Sequence, residues 1–220
     1  MQEIGPHTEE RIAKMDLIGL EKELQKRWVL PYNFNFKFDF NLEAKINFVY
    51  SVSDFDEVLR QIGPLPESLK QYAVNRWYNY WSNKGLNQIF SEHPDCEPVY
   101  NQYEEVEAVT IQNTLFRIKL HVFPNQFANT LRYALRHKEE LIYWLYRKIK
   151  RHSIQEIPNQ IFVILYQRDG EHWKLKAELS KLKEIVDNYL NEFDIHRTVR
   201  VHIIDNTVNY ADTLWFIQQD

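Results

Sequence analysis

Glycine is scarce in this chain, at 5 of 220 residues. None of the five falls in a spacing that wraps a phosphate in backbone N–H groups, which excludes a glycine-rich nucleotide loop. Cysteine is scarcer still. The single Cys96 permits neither an intramolecular disulfide nor a cysteine-rich zinc site, and its expected place is a turn or the core. No apolar run approaches the roughly 18 residues that a membrane helix needs. The opening MQEIGPHTEER has no signal-peptide apolar stretch, so the expected location is the cytoplasm. Positive charge is not in excess either: 27 Lys and Arg stand against 31 Asp and Glu, a net charge of −4. That excludes a protein coated in basic charge and leaves room for a local basic surface.

Aromatic residues are plentiful, with 13 Tyr, 13 Phe and 6 Trp. Phe34, Phe36, Phe38, Phe40 and Leu42 alternate with polar residues, and Ile46, Phe48 and Tyr50 continue the pattern. Period two predicts one long strand or a hairpin bending near Glu43-Ala44. Its Phe face is expected to be buried within the chain, in a homodimer, or against a protein partner. A helix is expected before it, from Thr8 to about Trp28, and a short one after it, from Ser53 to Ile62. Gly63-Pro64-Leu65-Pro66 reads as a linker. It divides the chain into an N-terminal helix and Phe-rich region, 1–63, and a core, 64–220. The core opens with a helix from Glu67 to about Ser91, whose apolar stripe includes Leu69, Tyr72, Trp77 and Trp81, with Gly85 as a candidate break.

The segment from Glu104 to Pro124 organises the rest. Asn113 marks a tight turn between two strands, and in the second the alternation is clean. Phe116, Ile118, Leu120 and Val122 share one face, with Arg117, Lys119 and His121 on the other. A half-buried strand ordinarily carries neutral polar residues there, so three potential cations in register mark a candidate anion-binding face. Beyond it lie an expected helix from Asn129 to about Arg151, a doubly buried strand from Gln160 to Tyr166, a helix from His172 to Phe193 and a strand from Thr198 to Ile204. The basic end Arg147, Lys148, Lys150 and Arg151 suits a helix C-terminus and also phosphate contact. The cluster near the end of the sequence, YADTLWFIQQD, has no clear place in this reading. The predicted class is α/β (α+β), a mixed central sheet flanked by helices.

This order, with Glu107, Arg117 and Lys119 on adjacent strands, resembles the core of the PD-(D/E)xK, or restriction-endonuclease-like, nuclease superfamily. The resemblance implies a catalytic site at the degenerate motif positions Glu107, Arg117 and Lys119, with Glu107 a ligand of Mg2+ only if the site is active. In that family a second carboxylate completes the metal site, and here its position holds Arg117. Arginine stays protonated and repels a cation, so the resemblance implies a degenerate site. The leading expectation is therefore a nucleic-acid-binding or structural protein, meeting DNA or RNA through Arg117, Lys119, His121 and the basic helix end, within a nucleic-acid-processing or defence assembly. A metal-dependent endonuclease with a migrated acidic ligand stands beside it, as does a protein-interaction module with no nucleic-acid role.

Overall fold

The computed structural model describes residues 14–31, 39–103, 105–127, 130–148, 159–202 and 208–218. The Glu67–Ser91 helix (α4) is its axis, and it runs without a break. Thirteen of its residues are buried, Trp77 and Tyr78 fully. Gly85 does not interrupt it. A Cβ there would lie 2.9 Å from Leu179 Cδ1 and 3.3 Å from Leu20 Cδ2, so the glycine lets two other helices press onto α4. These are α1 (Leu17–Gln25), capped by the Asp16 side chain, and α7 (Leu179–Asn191). α3 (Phe55–Ile62), capped by Asp54, joins the same core.

The expected strand before α3 is absent where the chain is described. Phe40–Glu43 is a short helix (α2), and Asn47–Tyr50 is a 3-10 turn. Asp39 starts the first: its carboxylate accepts from Asn41 N at 2.9 Å and its carbonyl from Glu43 N at 3.0 Å. The second is clamped from α4, where the Trp77 and Trp81 indoles donate to Val52 O and Val49 O. Period three then wins over period two, and Ile46 and Val49 are fully buried. Phe34, Phe36 and Phe38 lie outside the described residues.

Six strands form one mixed sheet: β1 (Cys96–Tyr100), β2 (Val106–Ile111), β3 (Thr114–Val122), β4 (Asn159–Gln167), β5 (Val199–His202) and β6 (Val208–Gln218), in the order β1-β2-β3-β4-β6-β5. The expected hairpin is β2–β3. Gln112 and Asn113 both have positive φ, 47° and 60°, as a two-residue turn matched to strand twist requires. Gln112 is held there by its side chain, which donates to Phe193 O at 2.9 Å and accepts from Ile195 N at 3.2 Å. β3 pairs parallel with β4, and β4 with β6. The unplaced YADTLWFIQQD is thus mostly an interior strand.

Helices cover both faces. α4 and α7 pack on one face, with α1 and α3 against α4 in the same core, which includes Phe116, Ile118, Ile161 and Leu214. The other is covered by α5 (Leu131–Arg136) and α6 (Lys138–Lys148), which enclose Phe162, Ile164, Val201 and Ala211. These two replace the single helix expected from Asn129. His137 (φ −128°, ψ 57°) closes the first, and Glu139 and Glu140 suit the positive end of the second. The helix expected from His172 is likewise divided, into a 3-10 segment His172–Ala177 and α7. Among the described residues, no helix is long and apolar enough to cross a membrane.

Candidate functional site

The cationic strand face forms as its alternation implies. Phe116, Ile118 and Leu120 are buried and Val122, expected with them, is exposed at the strand end, while Arg117, Lys119 and His121 turn the other way. The core beneath α5 and α6 draws on β4, β5 and β6. On that side Leu115 and Val99 remain 45% and 39% exposed. Glu107 reaches this face through a bulge. Val99 pairs with Ala108 and Tyr100 with Val106, so Glu107 is the extra residue between them, and such an insertion re-aims a side chain. Its Oε1 accepts from Arg117 Nη2 at 2.6 Å.

Lys119 is exposed, with no ion pair among the described residues. Partial desolvation and the neighbouring Arg117 guanidinium lower its pKa, against the pull of Glu107. His121 lies deeper, its ring 5.7 Å from Phe162. Burial, aided by Lys176 and Lys119, brings its pKa down to about 4, so at neutral pH it carries no charge. Of the three β3 residues, Arg117 and Lys119 are left as the cations of this face among the described residues. Arg147 and Lys148 are exposed at the end of α6, where Lys148 donates to Gln126 Oε1 at 3.2 Å and lies 5.1 Å from the Trp144 ring centre. No hydrogen bond or ion pair among the described residues joins them to β3. Lys150 and Arg151 lie outside the described residues. Among those residues, no group of three or more His, Cys, Asp or Glu is placed to hold a metal ion.

A second site was not anticipated. A cavity of about 540 Å³ runs along α4, within the roughly 300–1,000 Å³ usual for small-molecule sites. Its long wall is Arg76, Asn79, Tyr80, Asn83, Lys84 and Asn87, all half-buried. Positions three and four apart share one helix face, so this polar stripe is continuous. Glu105 closes one side, accepting from the Tyr80 hydroxyl and, at 3.1 Å, from Lys84 Nζ. Burial alone would raise its pKa, but the bonds from Tyr80, Lys84 and Asn101 hold it below the usual carboxylate range. Arg76 is held by Glu43, with Nε 2.6 Å from Oε1, and donates to the Tyr50 hydroxyl at 3.0 Å. Behind the wall, Lys176 Nζ donates to Asn79 Oδ1 at 2.5 Å, and burial lowers its pKa to about 8. The sequence signal was present in the repeat Asn79-Tyr80, Asn83-Lys84, Asn87-Gln88, whose four-residue step also fits a solvated helix face.

Comparison with known proteins adds no relative: no family model, no curated protein sequence and no solved structure matches this chain.

Proposed function

We propose that the chain is a binding module with a degenerate restriction-endonuclease-like core, whose β3 face contacts the phosphate backbone of DNA or RNA without cleaving it. The observation that carries this reading is the pairing at the motif. Arg117, where the family places its second metal ligand, engages the Glu107 carboxylate, while Lys119 two residues on stays exposed. A fixed cation on the one matched carboxylate favours an anion over a divalent metal. The order α4, antiparallel β1–β2–β3, α5 and α6, then β4 parallel to β3 supports the family likeness. Glu97 and Glu107 are exposed on the same side as the two cations, so the electrostatic gain is small. Two phosphate contacts give a log–log salt slope of about −2 on duplex DNA.

The test is filter binding of a DNA duplex and of an RNA over a salt series, beside incubation with magnesium or manganese. Binding is expected to weaken with salt, Lys119→Ala to reduce the slope by about one unit, and neither nucleic acid to be cut. Salt-insensitive or absent binding refutes the reading. Metal-dependent cleavage lost in both Glu107→Ala and Lys119→Ala establishes the nuclease instead.

A further inference from the structure

The cavity beside α4 plays no part in phosphate contact, and its chemistry suits another ligand. Its fixed charges are already matched within the fold. Arg76 faces Glu43, Lys84 faces Glu105, and Lys14 faces Glu92 at 3.1 Å. A charged ligand finds no free countercharge here unless it displaces one of these pairs, whereas an uncharged one needs none.

The amides complete the argument, because each has one end already committed. An ammonium only donates, so Asn79 must turn Oδ1 to Lys176, which leaves its Nδ2 for a ligand. A backbone carbonyl only accepts, so Asn83 turns Nδ2 to Asn79 O at 2.6 Å and Asn87 turns Nδ2 to Val106 O at 3.0 Å. Their Oδ1 atoms remain. None of these three ends has a hydrogen-bond partner among the described residues. The wall thus presents one donor and then two acceptors, each step about 6 Å along the helix. A hydroxyl both donates and accepts by rotation, so a row of hydroxyls satisfies all three. Tyr50, Tyr80 and Tyr100 also line the cavity, and aromatic rings offer apolar surface with a polar tip. That surface suits the C–H face of a sugar ring.

We propose that this cavity is a binding site for a neutral polyhydroxyl ligand, a short saccharide, held by Asn79, Asn83 and Asn87. The test is thermal shift on the full chain with maltotriose, cellotriose and diacetylchitobiose, beside glucose phosphate, adenosine and trialanine. At least one neutral saccharide is expected to raise Tm at concentrations up to about 10 mM, the shift growing with the logarithm of ligand concentration once that exceeds Kd. Its affinity should not change with salt, since no counterion is released, which separates this site from the β3 face. Asn83→Ala and Asn87→Ala should each weaken binding about tenfold. Asn87→Ala also cuts a tie to β2, so Asn83→Ala, whose lost bond lies within α4, is the deciding variant. The proposal is overturned if none of the three saccharides raises Tm, if glucose phosphate, adenosine or trialanine binds better than they do, or if Asn83→Ala binds like the parent.

Discussion

His121 and Lys176 are both bases whose surroundings favour the uncharged form, and each leaves a mark on stability against pH. For His121 the folded pKa of about 4 lies below the ordinary 6.5. Between those values the unfolded chain binds more protons than the folded one, so this group's contribution falls as pH drops from 6.5 toward 4. His121→Gln should accordingly lose less stability than the parent on acidification through that window. Urea titrations at intervals across it provide the measurement, and equal losses in both proteins would refute the assignment. Lys176 acts in the alkaline range. Its pKa falls from 10.5 to about 8, so the cost of burying its charge is fully present below pH 8 and relieved as pH rises toward 10.5. Lys176→Met should flatten the parent's rise in stability across that range. An unchanged slope would mean that the ammonium is better hydrated than its contact with Asn79 suggests.

Among the elements, α4 shows how close approach and polar patterning share one helix. Gly85→Ala adds helix propensity worth about 1 kcal/mol but forces a methyl against Leu179 and Leu20 in a filled core, at a cost of roughly 1–3 kcal/mol. A net loss of about 1 kcal/mol is expected from denaturant melts, and a gain would mean that Leu179 yields freely. The β2–β3 hairpin was legible because Phe116, Ile118 and Leu120 alternate against Arg117 and Lys119 with nothing to contradict them. The Phe-rich stretch misled where it is described, because Asp39 caps a helix and two α4 indoles fix the following turn, and neither contact is local in sequence. The cavity wall was hidden for another reason. Asn, Lys and Gln at a four-residue step read as a surface facing water, and only the placement of Glu105, Tyr50 and Lys176 around them makes it a wall.

At the scale of the whole molecule, the decisive feature is β6 between β4 and β5. Asp212, 9% exposed, binds Lys138 at 2.9 Å and the Tyr189 hydroxyl at 3.2 Å, so this strand ties α6 and α7 to the sheet. A chain ending after His202 should leave the apolar edge of β4 unpaired and β5 without a neighbour. Aggregation on sedimentation is the expected result, and a monomer with parent-like circular dichroism would contradict it. The same placement bears on synthesis. A ribosome delivers β4 and β5 before the strand that must lie between them, so the growing polypeptide carries an open seam until β6 emerges. Closing the sheet therefore waits on a strand made after both of its neighbours, and a pause in translation before β6 would prolong the interval in which neighbouring nascent chains can pair by mistake.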